Sequence, residues 1–363
     1  MKRRSFLTGA AGATLAATAA STLATPAIAQ GKRELKMVTT WPKNFPGLGT
    51  GAQRVADRIT LATDGRISVK LYAAGELVPP FESFDAVSSG TADMYHGAEY
   101  YWQGKNKAFN FFTAVPLGFT ANEINAWIMH GGGQELWDEL SGNFGIKCLT
   151  AGNTGVQMGG WFNKEINSLE DFKGLKMRMP GLGGEVLRRV GATSVALPGG
   201  EIFPALQSGA IDATEWVGPW NDLAFGFYKI TKFYYYPGYH ESGSTLACGI
   251  NRKVWDSFSK SDQALVQSCC WAEDDYMYAE YNAKNSDSLD VLVNQHGVQL
   301  KKFSDDVFNA LGKASREVVA EVADAGPLEK KIFDSYTAFK KKASAWTLLS
   351  DSAYTAAREK AGG

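Results

Sequence analysis

The sequence contains few of the residues that carry most redox, zinc-dependent and hydrolytic chemistry. Among 363 residues there are four cysteines and four histidines. It contains no C-x-x-C pair, no H-x-x-x-H or similar ligand spacing, no G-x-S-x-G, and no G-x-G-x-x-G after the first strand-like run. These absences argue against a secreted enzyme, which remains an alternative from a different functional class.

Long apolar runs and an excess of basic charge are also missing. Beyond the first thirty residues no apolar segment approaches the roughly 20 residues that a membrane-spanning helix needs. The chain has 37 Lys and Arg against 38 Asp and Glu, and no basic patch indicates binding of nucleic acid. A hydrophobic content of 45% and a charged content of 21% are typical of one or two globular domains.

The first thirty residues differ from the rest and predict an export signal over residues 1–29. A basic start is followed by an Ala- and Leu-rich stretch and by Ala27-Ile28-Ala29, an A-x-A cleavage site. Arg3-Arg4-Ser5-Phe6-Leu7 resembles the twin-arginine signal; an ordinary secretory signal or an uncleaved anchor is the alternative. Cleavage leaves 34 basic against 38 acidic residues, a net charge of −4, and predicts a periplasmic protein.

We expect the cysteines to be buried as small apolar residues and not to form disulfides. Cys269 and Cys270 are adjacent in a helical pattern, where their side chains diverge. A bridge between Cys148 and Cys248 is the weaker alternative, which an oxidising compartment permits.

Up to about Cys248, short apolar runs alternate with amphipathic segments, which predicts βαβ units, parallel sheets and an α/β fold. After about Arg252 the pattern predicts helices only, with a break at Gly326-Pro327. An α/β body too large for one sheet, with a helical C-terminus, predicts two lobes. The strand-like runs are 34–41, 67–73, 92–98, 145–150, 174–179, 193–198, 210–217 and 232–238.

Four polar residues follow or end separate strand-like runs. Arg178 ends G-L-K-M-R, Glu215 ends A-I-D-A-T-E, Gln157 follows the run that begins at Gly145, and Glu241 follows F-Y-Y-Y-P-G-Y-H. Open α/β sheets bind ligands beyond the carboxyl ends of their strands. Glu215 also lies among apolar and aromatic neighbours in D-A-T-E-W-V-G-P-W, where a carboxylate is costly unless something pairs with it.

Residues 174–220 carry a specific resemblance to a known family. The segment contains G-L-K-M-R-M-P and then E-I-F-P-A-L-Q-S-G-A-I-D-A-T-E, and so matches G-L-K-x-R-x-P and E-x-[YF]-x-A-L-Q-x-G-x-x-D-x-x-E. It resembles the extracytoplasmic solute receptors of tripartite ATP-independent periplasmic (TRAP) transporters. Ser194 stands where the family often has a proline. Further segments are similar to the subgroup that binds 2-oxo monocarboxylates, among them Y-Y-W (100–102), G-N-T-G-V-Q-M-G-G-W-F (152–162) and F-Y-Y-Y-P-G-Y-H-E-S-G (233–243).

The resemblance implies a type II-like periplasmic substrate-binding fold, with a ligand cleft between two βαβ lobes and long C-terminal helices. Lobe I is expected at 33–156 plus about 246–300, and lobe II at 157–245. Residues 301–363 are expected to form helices that pack on the lobes or on a second subunit.

The resemblance also implies the ligand and the residues that hold it. The ligand is a 2-oxo monocarboxylate, pyruvate or a longer α-keto acid, bound together with a metal cation, with Na⁺ favoured over Ca²⁺. By position, Gln157, Glu215, Glu241 and the Trp216 carbonyl coordinate the cation. The ligand-binding residues are Arg178, Tyr100 and Tyr101, together with Gln157 and Glu215 of the cation set.

Each of these residues also has an alternative role that is purely structural. Arg178 could pair with Asp171 or Glu185 on the surface, Glu215 could cap or pair locally, and Gln157 could satisfy a loop. Glu241 could be a surface residue, and Tyr100 and Tyr101 could pack in the core. His240 lies next to Glu241 and either lines the cleft or is exposed.

The partners implied are a small carboxylic acid, the TRAP membrane permease and a second copy of the chain, through the C-terminal helical segment. Two alternatives keep the receptor fold. The ligand could be a 2-hydroxy acid such as lactate, or the receptor could report to a signalling partner in place of a permease.

Overall fold

The structure is a computed structural model that describes residues 31–362. The predicted export signal, residues 1–29, lies outside the described residues. No helix within 31–362 combines the length and apolar character that crossing a bilayer requires. The β-strands of this part of the chain are β1 Arg33–Thr39, β2 Ile67–Tyr72, β3 Met94–Gly97, β4 Ile146–Asn153, β5 Gly160–Phe162, β6 Lys176–Arg178, β7 Thr193–Val195, β8 Ala213–Thr214, β9 Phe233–Tyr236, β10 Thr245–Asn251 and β11 Gln299–Lys302.

The helices begin at recognisable sequence signals. Thr120 and Glu123 form a capping box that starts one helix, and Ser259 and Ser304 cap the helices that begin at Lys260 and Asp305. Pro327 occupies the first turn of the next helix, after the predicted break. The α-helices of residues 31–362 are α1 Leu48–Ala62, α2 Ser83–Ser89, α3 Ala121–His130, α4 Gly133–Gly142, α5 Gly181–Arg189, α6 Gly199–Gln207, α7 Pro219–Phe225, α8 Arg252–Asp256, α9 Lys260–Asp290, α10 Asp305–Glu321, α11 Pro327–Thr347 and α12 Ala353–Lys360.

The strands form two sheets, in the orders β2-β1-β3-β10-β4 and β11-β9-β5-β8-β6-β7. The α/β fold is as predicted, but both sheets are mixed and not parallel throughout. Strand β10 runs antiparallel to both β3 and β4, and β5 runs antiparallel to both β8 and β9. All seven residues of β10 are buried, so this strand has no polar alternation by which to recognise it in the sequence.

The expectation of helices only after Arg252 was also wrong. Strand β11 forms after α9 and pairs in parallel with β9 at the edge of the second sheet. Three of its four residues are exposed and the fourth, Lys301, is half-buried, as is usual for a short edge strand.

Two connections between the sheets run side by side. The chain leaves the first sheet at β4 and enters the second at β5, and it returns from β9 to β10. The connections are bonded to each other: Gln157 N–H donates to the Glu241 carbonyl (3.0 Å), Gly238 N–H to the Gln157 carbonyl (3.1 Å) and Thr154 N–H to the Ser244 carbonyl (3.0 Å). Segments that cross between the sheets are therefore held in register with each other.

The C-terminal helices pack on the body through their first parts. Helix α10 contacts α5, and α11 contacts α3 and α4. The Tyr336 hydroxyl of α11 accepts from Phe119 N–H at 2.9 Å. In contrast, α12 has no buried residue.

The four cysteines are free and buried. In the register of β4 and β10, Cys148 lies opposite Gly249 and Cys248 opposite Leu149. Neighbouring residues of a strand point to opposite faces, so Cys148 and Cys248 lie on different faces of the sheet. This excludes the Cys148–Cys248 bridge in this structure and confirms the expectation of buried thiols.

Candidate functional site

Arg178 ends β6 and is 1% exposed. It forms an ion pair with the Glu215 carboxylate, and its Nε donates to the Leu197 carbonyl (3.2 Å) and its Nη2 to the Tyr101 hydroxyl (3.3 Å). Its guanidinium carbon lies 5.0 Å from the centre of the Trp216 ring. The alternative of a surface ion pair is wrong.

The residues proposed for that surface pair have other partners. Asp171 accepts from the backbone N–H groups of Asn167 and Ser168, both at 2.9 Å. Glu185 lies 3.0 Å from Arg188.

Strand pairing explains why Arg178 and Glu215 meet. Strands β6 and β8 are parallel neighbours in which Arg178 lies opposite Thr214. Glu215 follows Thr214 directly, and its N–H donates to the Arg178 carbonyl at 3.2 Å. Both side chains therefore emerge at the carboxyl edge of the second sheet, the place at which open α/β sheets bind ligands.

Glu215 is 1% exposed, and its two carboxylate oxygens have different surroundings. Oε1 pairs with Arg178, whereas Oε2 lies 3.4 Å from His240 Nε2 and has no hydrogen-bond partner among the described residues. A buried carboxylate oxygen without a hydrogen bond is costly, which makes Oε2 a candidate ligand atom for a cation.

Asp222 holds the segment that follows Glu215. Its Oδ1 accepts from Val217 N–H at 3.3 Å, and its Oδ2 accepts from Trp161 Nε1 (2.9 Å) and from the Tyr234 hydroxyl (2.6 Å). Burial raises the pKa of Asp222 to about 7. Our sequence reasoning missed this residue, although it lies only seven positions after Glu215.

Gln157 and Glu241 come from the two connections between the sheets and are bonded to each other. Gln157 Nε2 donates to Glu241 Oε2 (2.8 Å), Thr154 Oγ1 (3.0 Å) and Ser244 Oγ (3.3 Å). Gln157 Oε1 is buried and has no hydrogen-bond partner in residues 31–362. Gln157 therefore does form a hydrogen bond within its own loop, to Thr154, as the structural alternative predicts. Its Oε1 nevertheless remains free to accept from a ligand or to coordinate a cation.

Glu241 is 3% exposed, so it is not a surface residue. Its Oε2 accepts from the Ser244 hydroxyl as well as from Gln157. Burial, and then the negative charge of nearby Glu215, raise the pKa of Glu241 to about 7.

Ligand atoms of Glu215, His240 and Glu241 lie within 4.8 Å of one another. His240 is buried, and neither of its ring nitrogens has a hydrogen-bond partner in the described chain. Burial lowers the pKa of His240, but Glu215 outweighs this, and the net direction is upward. His240 is therefore not exposed, although it is not among the residues that line the cavity described below.

The donor set fits a hard cation. Two carboxylates and an amide oxygen are ligands of the kind that Na⁺ and Ca²⁺ prefer. Arg178 offsets only one of the two carboxylate charges, so a cation would lower the cost of burying the second.

Tyr100 and Tyr101 lie on a short turn after β3, with ring centres 4.8 Å apart in an edge-to-face arrangement. Burial raises the pKa of Tyr101 to about 12, so its hydroxyl keeps its proton and can donate to an anion. Both tyrosines line a cavity between the two sheets, which we call the central cavity.

The central cavity has a free volume of about 10 Å³, close to the minimum for one water molecule. Gln157 and Trp216 line it, whereas Arg178, Glu215 and Glu241 are not among its lining residues. Sequence reasoning missed several of its residues; Trp41 could have been found because it ends the strand-like run 34–41. The full lining consists of Trp41, Leu48, Tyr100, Tyr101, Thr154, Gln157, Trp216, Val217, Ser244 and Leu246.

Comparisons with known proteins identify the family. Residues 37–325 match the bacterial extracellular solute-binding proteins of family 7 (DctP). The chain is 40% identical over 358 residues to the monocarboxylate 2-oxoacid-binding periplasmic protein of Nostoc sp., covering 98% of each chain.

Two solved structures are similar throughout. A TRAP periplasmic solute-binding protein from Pseudoalteromonas atlantica, solved with sodium and pyruvate, is 39% identical with a TM-score of 0.86 over 89% of this chain and 98% of that one. A TRAP solute-binding protein from Bordetella bronchiseptica, a dimer with calcium and picolinate in one of its sites, is 35% identical with a TM-score of 0.89 over 92% and 100%. The chain therefore belongs to family 7 of the bacterial extracellular solute-binding proteins, the periplasmic solute receptors of TRAP transporters.

Proposed function

We propose that this receptor binds a small 2-oxo monocarboxylate together with a metal cation and delivers it to a TRAP permease. The observation that carries the proposal is the buried group of Arg178, Glu215, Gln157 and Glu241 between the sheets. It combines one guanidinium with two acceptor oxygens that have no hydrogen-bond partner in the described chain. The relatives bound to pyruvate with sodium and to picolinate with calcium support this pairing of ligand and ion.

In this proposal the cation is held by Gln157 Oε1, the Glu215 and Glu241 carboxylates and the Trp216 carbonyl. The free acceptors of Gln157 and Glu215 support it. The cation supplies positive charge for the keto and carboxylate oxygens of the ligand. Na⁺ is favoured over Ca²⁺, and both occur in the relatives.

Arg178 and the two tyrosines bind the carboxylate of the ligand. The planar guanidinium offers parallel donors that match a carboxylate, and Arg178 already donates to the Tyr101 hydroxyl at 3.3 Å. Glu215 orients Arg178 through the ion pair, and Gln157 touches both the cavity and Glu241.

We assign 33–156 plus about 246–298 to lobe I and 157–245 plus β11 to lobe II, because their strands belong to different sheets. The predicted boundary at about 300 is moved because β11 pairs with β9 of the second sheet. The paired connections that carry Gln157 and Glu241 then join the lobes. Closure of the lobes over the acid would present one surface to the permease, which distinguishes the loaded from the empty receptor.

The experiment is calorimetry on receptor stripped of Na⁺ and divalent ions. Pyruvate should bind tightly after Na⁺ or Ca²⁺ is restored and at least about tenfold more weakly without a cation. If the affinity for pyruvate is the same with and without a cation, the cation has no role in binding the ligand. Tight binding of only a dicarboxylate or a sugar acid would show that the ligand is not a 2-oxo monocarboxylate. Stronger binding of lactate than of pyruvate would assign a 2-hydroxy acid as the ligand instead. Pyruvate recovered unaltered after incubation supports a receptor that performs no catalysis.

Two further parts of the proposal concern export and assembly. The sequence of residues 1–29 supports export through the twin-arginine route. A homodimer through the C-terminal helices is supported by exposed apolar side chains there: Trp346 (70% exposed), Leu348 (66%), Leu349 (77%) and Tyr354 (67%).

A further inference from the structure

The wall of the central cavity has a polar part and an apolar part. Thr154, Gln157 and Ser244 are joined by hydrogen bonds through Gln157 Nε2. The apolar lining residues instead belong to one hydrophobic cluster, among them Trp41 and Leu246. A 2-oxo acid has the same two-part character, with a polar head and an apolar carbon chain.

Trp41 is one of the residues that line the central cavity. It follows β1 of the first sheet and is 2% exposed. Its ring centre lies 6.1 Å from that of Trp216, which follows β8 of the second sheet, with the planes at 84°. It also lies 6.2 Å from the ring of Tyr101, which contacts Arg178. The indole thus faces the residues that would bind the head of the ligand.

Trp41 is fixed by a hydrogen-bond chain to His96. Its Nε1 donates to His96 Nδ1 at 2.8 Å, and His96 Nε2 lies 3.0 Å from the Ala151 carbonyl. A carbonyl can only accept, so His96 must carry its proton on Nε2 and accept at Nδ1. Burial lowers the pKa of His96 to about 4, which keeps this neutral tautomer at physiological pH.

This anchoring makes Trp41 a rigid wall. Moving the indole would break its bond to His96 and leave a buried donor and a buried acceptor unpaired. With only about 10 Å³ free, the cavity has no room for an organic acid of any length until a wall moves, and the anchored indole resists that movement. The head-binding residues contact the same atoms in every 2-oxo acid, so discrimination by chain length has to come from the walls.

We propose that Trp41, held in place by His96, limits the carbon chain of the ligand, so that the receptor selects short 2-oxo acids such as pyruvate over longer ones. This inference rests on the proposed function. Trp41 acts on specificity by contact with the ligand's carbon chain, and His96 is a positioning residue that acts through Trp41.

The test is calorimetry with pyruvate, 2-oxobutyrate and 2-oxohexanoate in saturating Na⁺ and Ca²⁺. Differences of one methylene in an apolar pocket change binding about 10- to 200-fold, so the wild type should prefer pyruvate to 2-oxohexanoate by at least about tenfold. Trp41→Leu should reduce this ratio to about threefold or less, mainly by strengthening binding of 2-oxohexanoate.

Trp137→Leu is the matched control. Trp137 is also fully buried and its Nε1 also points to a buried polar group, Glu99 Oε2 at 3.5 Å, but it does not line the cavity. This variant should lose stability and keep the wild-type ratio.

His96→Leu provides a second, independent variant, because it releases Trp41 without changing the cavity lining. It should also lower the ratio, whereas His96→Asn, which keeps an acceptor near the Nδ1 position, should largely preserve it. Equal affinity of the wild type for pyruvate and 2-oxohexanoate, or an unchanged ratio in both Trp41→Leu and His96→Leu, overturns the inference and leaves the 2-oxo acid function standing. Absence of binding to all three acids instead overturns the proposed function.

Discussion

The guanidinium of Arg178 lies directly against the carboxylate of Glu215, and both side chains are 1% exposed. The pair forms because β6 and β8 are parallel neighbours whose carboxyl ends coincide. It leaves Oε2 of Glu215 without a hydrogen bond, 3.4 Å from His240. One residue pair therefore connects the proposed carboxylate-binding group with the proposed cation ligands.

Replacement of Arg178 by Met should destabilise the protein and abolish binding of pyruvate. The change leaves a buried carboxylate without its partner, which costs about 3–5 kcal/mol. Chemical denaturation measures the stability, and calorimetry measures the binding. Arg189→Met is the control, since Arg189 pairs with Glu321 on the surface and its loss should leave both measurements nearly unchanged. A stable Arg178→Met variant that binds pyruvate normally would contradict the assignment.

Glu215→Gln should weaken pyruvate binding chiefly by lowering the affinity of the site for the cation. Loss of a residue that only supports a metal ligand costs about 10- to 100-fold in metal affinity, and a direct ligand should cost at least as much. Titration of pyruvate at several Na⁺ and Ca²⁺ concentrations should show that more cation is needed. Glu201→Gln, on an exposed position of α6, is the control and should not shift the cation requirement. An identical cation requirement for Glu215→Gln and the wild type would falsify this role.

Glu99→Gln should flatten the dependence of stability on pH. Glu99 is fully buried, accepts from the Tyr95 hydroxyl at 2.5 Å, and burial raises its pKa from 4.5 to about 7. A group with a raised pKa in the folded state contributes stability that is present below pH 4.5 and is lost as the pH rises to about 7. The wild type should lose up to about 3 kcal/mol from this group between those pH values, and the neutral glutamine should not.

Denaturation of both proteins at pH 5 and pH 7.5 measures this difference. Equal losses of stability in wild type and Glu99→Gln would contradict the prediction.

The mature protein should be a dimer by light scattering, and Leu349→Glu should convert it to a monomer. Leu349 is 77% exposed after α11, within the apolar group that also contains Trp346 and Tyr354. Leu61→Glu is a matched control, since Leu61 is 80% exposed on α1, outside the C-terminal segment, and its replacement should leave the dimer intact. A monomeric mass for the unmodified protein would overturn the proposed dimer.

Replacing Arg3 and Arg4 together by Lys should block export. The twin-arginine route depends on this residue pair, whereas an ordinary secretory signal needs only positive charge. Immunoblots of periplasmic and cytoplasmic fractions measure the distribution, with Lys2→Arg as the control. Normal export of the Lys-Lys variant would indicate the ordinary secretory route.

The sequence alone indicated the correct strand-end residues but not how they interact. Arg178 and Glu215 were recognisable because each ends a short apolar run within a specific motif, and Gln157 follows another such run. The burial of His240 and Glu241 was not recognisable, because a Gly- and Ser-containing segment normally reads as an exposed turn. This segment is buried because the two connections between the sheets pair with each other through Gln157 and Glu241.

The sequence by itself determined the α/β class, most of the strands and helices, and the family, because local periodicity and motif spacing extend over tens of residues. The tertiary structure alone decided the antiparallel insertions of β5 and β10, the ion pair of Arg178 with Glu215, and the fixed position of Trp41. These features depend on strand order, and strand order follows from burial of surfaces far apart in the chain. No local pattern encodes which strands become neighbours, so the residues that meet at the site emerge only when the sheets assemble.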